Sequence, residues 1–395
     1  TTTMLASSWL LDHFGVRKTL AAAMFLFTLI SLAGGFAETP GQLIAARIGQ
    51  GAMAGLMQPM GMYLVFRIFP RDRRGQAMGI YGMGVILAPA LGPVLGGFLV
   101  DQLDWRYVMF APAPVTLVGV FMAWRFLPLP VSRPAPYRFD LPGLILLGFT
   151  IAVSLDTLNR LQHAAGQENR ILAGTILALG ALLLFVLRER RTAHPLVNMA
   201  LLRKPVFVFA CLGAMALGLA LFGSTYLIPL FVQTALGFSA TEAGLLMLPA
   251  GIVLGMTFPL AGRLADRHSA RVLVVFGIGA FALSAMLFAL SDLELAFGWL
   301  VLWTVLGRIG IGFMLPALST GALNPLEPQE LGAGSSTLNF MRQLGGAFGV
   351  NLVALTVEFG EHSSGMPTIN AFHSAWWLVA VFVAVAAIPV WRMRT

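Results

Sequence analysis

The chain has 395 residues, of which 58% are hydrophobic and 11% charged. Soluble domains carry about 25% charge, so a chain this poor in charge cannot cover a water-facing surface, and its solvent is mostly lipid. The net charge of +8 does not require nucleic acid, because basic residues gathered at one membrane face would account for it.

A membrane-spanning helix takes about 20 mostly apolar residues. Runs of that kind predict spans at 18–37, 42–66, 76–100, 107–127, 141–160, 171–187, 206–232, 243–262, 271–290, 297–320, 334–357 and 372–391. Residues 1–11 read as the tail of a further span. No basic residue precedes that first run, and Arg17 and Lys18 follow it, the reverse of a secretory signal. Lipid offers the backbone no hydrogen-bond partners, so the runs are expected to be helices.

Lys and Arg set the orientation, because they concentrate on the cytoplasmic side. With the segment at 12–18 placed inside, 19 of the 25 basic residues fall on inner segments, Arg133, Arg138 and Arg394 among them. Three fall outside (Arg106, Arg160, Arg170), and three lie within or at the edge of spans (Arg47, Arg308, Arg342).

Two inner segments repeat. "LLDHFGVR" and "RLADRHSAR" each place an Asp five residues before an Arg, Asp12 with Arg17 and Asp266 with Arg271. Such repeats imply two halves related by an axis along the membrane normal. The two Asp are 254 residues apart, too far for six helices and right for six plus an inserted pair. The expected organisation is therefore a first helical bundle over 1–127, an inserted pair with its linkers over 128–205, and a second bundle over 206–395.

Other function classes find little support. Cys211 is alone, and His13, His163, His194, His268, His362 and His373 are scattered without ligand spacing, so no metal is expected. No Gly-Lys dipeptide occurs, which rules out the phosphate-binding loop of an ATP-driven pump within this chain. No cluster of acids or histidines suggests an enzyme. Asp156 lies well along its span, and Arg160, one turn on, is its expected partner.

Several stretches together resemble the major facilitator superfamily, and within it the 14-span drug:proton antiporter branch of the EmrB/QacA type. The loop motif G-x-L-a-D-r-x-G-r-[kr] is matched by Ser8 to Arg17, with Asp12 and Gly15 in place, and again by Gly262 to Arg271, where Ser269 replaces the usual Gly. "RIGQGAMAG" supplies the fourth-helix motif with Arg47, Gln50, Gly51 and Gly55. The antiporter motif G-x8-G-x3-GP-x2-GG is met by Gly79, Ala88, Gly92, Pro93, Gly96 and Gly97, one Gly being replaced. "HPLVNMALLRKPVF", "YLIPLFVQTALGFSATEAGLLMLPAG" and "GAGSSTLNFMRQLGGAFG" resemble branch-specific stretches. By this count the family's first helix and most of its second are expected to lie outside the chain.

The resemblance implies an all-α membrane protein of two pseudo-symmetric bundles plus the inserted pair, lying at the periphery. It implies a gate at Asp12, Gly15, Arg17, Gly262, Asp266 and Arg271, where a carboxylate can meet the positive N-terminal end of a neighbouring helix. The Ser at 269 predicts the weaker lock in the second half. Arg47, Gln50 and Gly51 are the expected proton-coupling group, since an Arg inside a span costs at least about 2.5–3.5 kcal/mol and seeks a wet or paired setting. The antiporter motif puts small residues on one face, which lets helices approach closely.

Candidate cavity residues are Gln58, Met62, Phe222, Tyr226, Gln233, Arg308, Phe313, Asn339 and Gln343. The function implied is proton-coupled export of small hydrophobic or cationic compounds by alternating access. An interior charge such as Arg308 would disfavour cations. The alternatives are an uptake permease or metabolite exporter of the same fold, or an inactive fragment. No cofactor beyond the coupling proton is expected. The surroundings implied are a bacterial inner membrane, a small-molecule substrate, no nucleic acid, and a periplasmic adaptor if the source is Gram-negative.

Overall fold

The computed structural model describes residues 2–127, 139–162, 166–292, 295–364 and 369–393, without the side chains of 86–94, 97 and 361–364. Arg133, Arg138, Arg394 and His163 lie outside the described residues, as do the side chains of Ala88, Gly92, Pro93, Gly97 and His362.

Among the described residues, twelve long helices carry the fold. They are α1 (Thr3–Gly35), α2 (Pro40–Ile68), α3 (Arg74–Gln102), α4 (Trp105–Phe126), α5 (Leu141–Gln162) and α6 (Glu168–Arg191), then α7 (Pro205–Thr234), α8 (Ala240–Ala265), α9 (Ala270–Ala289), α10 (Phe297–Leu323), α11 (Leu331–Ser364) and α12 (Ile369–Trp391). Ten of them are long and apolar enough to cross a membrane, and α2 and α3, at 29 residues each, have the length. Each predicted run falls on one of the twelve.

Local chemistry explains the helix ends. Thr39 and Gln42 close a capping box at the start of α2, and Ser239 and Glu242 do so for α8. Pro40 and Pro205 stand in first turns, where a missing N–H is not felt. Interior prolines at 59, 229, 249, 259 and 316 each remove a backbone bond and favour bending. In α7 the turn Leu219–Gly223 widens into a π-helix, a form that is rare and recurs at functional sites.

The stretch 12–18 forms the turn between the tail of one helix and the start of the next, and the turn is tight: α1 comprises two helical segments that meet at Gly15, whose φ of 78° and ψ of 159° suit glycine alone. A single residue reorients the chain, and Thr19 bonds back across the break to the Leu10 and Gly15 carbonyls.

Helices α1–α4 pack together, as do α7–α12, and the two groups meet along α3 against α8 and α10 and along α1 and α2 against α11. The second group holds the largest buried cluster, with Phe207, Phe231, Phe258, Phe281, Phe288, Phe372 and Trp376 in it. Lipid-facing positions are apolar and exposed, as at Val115, Phe121, Leu179, Leu183, Met256 and Trp299.

The pair α5–α6 is less peripheral than expected. Helix α5 packs against α11, and one buried cluster joins Leu147, Ile151 and Phe185 of the pair to Met4 and Leu5 of α1 and Phe340 of α11. The inserted helices thus touch both groups. At their basic end Asp140 caps α5 through the Gly143 amide at 3.0 Å and takes Arg188 at 2.7 Å. Glu189, 2% exposed, accepts from the Leu196 and Val197 amides.

Candidate functional site

The two helix groups are tied together at their basic end. Asp266 follows the last residue of α8, and its Oδ1 accepts from the Gly75 amide at 2.6 Å while Oδ2 accepts from the Gln76 amide at 2.8 Å. Those two N–H groups open α3 and have no partner within their own helix. A carboxylate from one half thus caps a helix of the other, with the helix dipole aiding the contact. Burial pushes the Asp266 carboxyl above its ordinary range, against the pull of the two amides. Arg74 adds a second tie, its Nη1 donating to Asn324 Oδ1 at 3.1 Å.

Glycines make this approach possible. A methyl group at Gly75 would overlap the Gly262 carbonyl, one at Gly262 would overlap the Gly75 carbonyl, and one at Gly79 would overlap the Phe258 carbonyl. Gly79 of the antiporter motif and Gly262 of the loop motif therefore meet at the same helix crossing. Gly96 has open space beside it.

The corresponding place in the first half is built from α1 and the start of α11. Ser7 and Ser336 share a hydrogen bond of 2.8 Å, and Ser8 lies against Gly332. Arg17 sets its guanidinium over the Trp124 ring at 4.8 Å, and Arg271 likewise sits over Trp391 at 5.5 Å. The carboxylate cap in the second half forms despite Ser269, because the capping bonds come from Asp266 and need nothing from residue 269.

Arg47 is exposed and reaches Gln50 Oε1 at 3.3 Å. Gln50 is buried, and its amide donates to Ser31 Oγ at 2.8 Å, which in turn donates to the Met109 carbonyl. This chain ties α2 to α1 and α4. Gly51 is exposed with open space around it.

Midway through the fold the halves meet in a polar layer. Gln58 Oε1 accepts from Gln343 Nε2 at 3.2 Å, and the Tyr81 hydroxyl donates to the Gln58 carbonyl at 2.8 Å. Asn339, 1% exposed, contacts Met62 Sδ at 3.5 Å and accepts from Arg342 Nη2 at 2.8 Å. A void of about 10 Å³ lies here, bounded by Met62, Leu315, Leu338, Asn339 and Arg342. Gln58, Met62, Asn339 and Gln343 are thus brought together in this layer.

Other candidates lie elsewhere. Arg308 is buried and donates to Thr225 Oγ1 at 3.1 Å, just past the π-turn. Phe222, in that turn, rests on Gly346. Tyr226 is partly exposed. Two placements differ from the expected cavity lining. Gln233 is exposed near the end of α7 and bonds back to the Pro229 carbonyl. Phe313 packs edge-on against Phe276 of α9 at 4.9 Å, because its position on α10 turns it to that neighbour. Asp156 and Arg160 pair at 2.7 Å on the exposed surface, as expected. Tyr81 and Arg342 are additions. Arg342 stands well inside α11, which begins at Leu331, a depth readable in the sequence.

Residues 1–350 match the family model described as Major Facilitator Superfamily. The chain belongs to that superfamily. It is 32% identical over 399 residues to the "Putative multidrug resistance protein MdtD" of Salmonella typhimurium (strain LT2), covering 97% of this chain and 82% of that one. It is 26% identical over 347 residues to the uncharacterized MFS-type transporter YhcA of Bacillus subtilis (strain 168), where it spans 88% of its own length and 65% of the relative's. The fold is similar to the human organic anion transporter MFSD10, with TM-score 0.71 and 14% identity over 98% of this chain and 80% of that one. It is similar also to the proton:xylose symporter XylE, with TM-score 0.67 and 14% identity over 99% and 82%. Family and fold alike point to a multi-pass membrane transporter and away from an enzyme.

Proposed function

We propose that this superfamily member is a proton-coupled exporter of small, largely apolar compounds in a bacterial inner membrane, acting by alternating access. The observation that carries the reading is the Asp266 cap on α3, with its glycine crossing at Gly75, Gly79 and Gly262. It joins the two halves at the basic end through contacts that are short and specific. Parting that end would open the central polar layer to the cytoplasm, and closing it would commit the cargo to the other side. Such a rigid-body rocking needs an interface with two discrete arrangements. A clamp of two hydrogen bonds on backbone amides can be made and broken without unfolding either helix.

The export direction and the proton rest on the antiporter-motif resemblance and on the name of the MdtD relative. Arg47, Gln50 and Gly51 are the proposed coupling group, the Arg47–Gln50–Ser31 chain linking a charge to the packing of α1, α2 and α4. In proteoliposomes holding the complete protein, an imposed pH gradient should drive a lipophilic dye against its own gradient. Dye that moves only down its gradient, with or without the pH step, would sink the export reading.

A further inference from the structure

The second half contains two buried arginines for which the transport reading alone has no use. Arg342 and Arg308 are each 5% exposed. Helix α11 begins at Leu331, at its basic end, and α10 begins at Phe297, at the opposite end. At 1.5 Å per residue both arginines stand about 16 Å along their helices, near the middle of a hydrocarbon layer about 30 Å thick. Neither can reach an interface by extending its side chain.

Neither has a carboxylate within ion-pair distance among the described residues. Their partners are neutral oxygens, Asn339 Oδ1 for Arg342 and Thr225 Oγ1 for Arg308. Arg342 Nε is buried with no hydrogen-bond partner at all. At the basic end Asp266 is committed to α3, Asp140 to Arg188 and Glu330 to Lys204. Buried charges in proteins are paired as a rule, and inside a membrane they mark functional sites. Here two positive charges share one bundle, and Arg342, which keeps an unused donor, is among the residues that bound a small void.

We infer that Arg342 is the seat of an anion subsite: the cargo carries a carboxylate or similar acidic group on an apolar body, that group pairs with the Arg342 guanidinium, and Arg308 adds to the positive field that favours it. A guanidinium suits this work because its fork of donors matches a carboxylate. The walls fit the rest of such a cargo. Met62, Ala214, Leu217, Leu315, Leu318 and Leu338 line the void beside Arg342. At about 10 Å³ it holds no more than a water-sized occupant in this arrangement. Met62 belongs to the first half, so parting of the halves removes one wall and enlarges the site. The expectation of cationic cargo is thereby reversed for this site.

The inference rests on the exporter reading for the identity of the site, so the test is one of binding, which needs no gradient. Fluorescein and rhodamine 6G share a xanthene body and differ in charge sign. Their binding to the complete protein is read by fluorescence anisotropy, after reconstitution in phosphatidylcholine alone so that no anionic lipid competes. The wild type should bind fluorescein at least tenfold more tightly than rhodamine 6G. Arg342→Gln should lose that preference, and Arg342→Lys, which keeps the charge, should retain most of it. Equal or tighter binding of rhodamine 6G by the wild type overturns the inference, as does fluorescein binding unchanged in Arg342→Gln. Should Arg342→Gln fail to fold, Arg308→Gln replaces it, with a several-fold loss of fluorescein affinity expected and no loss counting against the subsite. Failure of dye export with the anion preference intact would remove the exporter reading and leave the subsite standing.

Discussion

Asp266 Oδ1 stands 2.6 Å from the Gly75 amide nitrogen, so the last turn of α8 caps the first turn of α3. The two residues are 191 positions apart and belong to opposite halves. Their bond therefore measures whether the basic end is closed. Hydrogen bonds to a charged group contribute about 1.5–3 kcal/mol each, and each 1.4 kcal/mol is a tenfold change in population. Asp266→Ala should shift the halves toward an arrangement parted at this end. Spin labels at Arg71 and Arg267 would report it as a longer distance population. Asp266→Asn keeps one acceptor oxygen and should shift it less. An unchanged distance distribution in Asp266→Ala would show that the cap does not hold the end shut.

The glycine crossing predicts a stronger effect of the same sign. Gly262→Val places side-chain carbon where the Gly75 carbonyl sits. Neither backbone can yield without moving its helix, so closure at the basic end should fail and transport should fall to background. Normal expression with the same labels far apart is the expected result. Gly96→Ala, which meets open space, should leave both properties unchanged.

Arg47→Ala should abolish proton-driven transport while leaving substrate binding in place, since its hydrogen bond is to Gln50 on its own helix. Proton-driven uptake into inverted vesicles at the wild-type rate would remove Arg47 from the coupling role. Gln50→Ala should also loosen the packing, because Gln50 is buried on Ser31; a lowered midpoint of thermal unfolding checks this.

Asp140→Ala removes the cap of α5 and the partner of Arg188. Loss of a helix cap costs about 0.5–2 kcal/mol. The expected outcome is a lower unfolding midpoint with dye binding preserved. Arg160→Ala, on the exposed Asp156 pair, should change neither, because exposed ion pairs contribute little.

Much of the fold is legible in the sequence because lipid makes the relation between the two unusually direct. Apolar length marks each of the twelve helices, and the repeat at Asp12 and Asp266 marks the two-fold organisation. The Asp156–Arg160 pair follows from helical spacing. What is not legible depends on neighbours. Polarity at 12–18 marks a turn, but not that one glycine with positive φ makes it while helical bonds run up to Gly15 on both sides. Phe313 reads as a cavity residue, but residue type does not say which of two packed helices a side chain will face. The Asp266 cap requires knowing that the end of α8 meets the start of α3, a contact between residues far apart in the chain. Arg342 reads as one of three basic residues within or at the edge of a span; its distance from Leu331, where α11 begins, is what sets it apart.

Exchange of cargo for protons across the membrane is the central claim, and substrate-evoked proton movement tests it most directly. The complete protein is reconstituted in vesicles with a trapped pH-sensitive dye and no initial pH gradient, and a transported dye of separate colour is added outside. Inward movement of the cargo should drive protons outward, so the lumen becomes alkaline, and Arg47→Ala should give cargo movement without that signal. Protons entering with the cargo, or cargo movement in the wild type with no change in luminal pH, would contradict the claim.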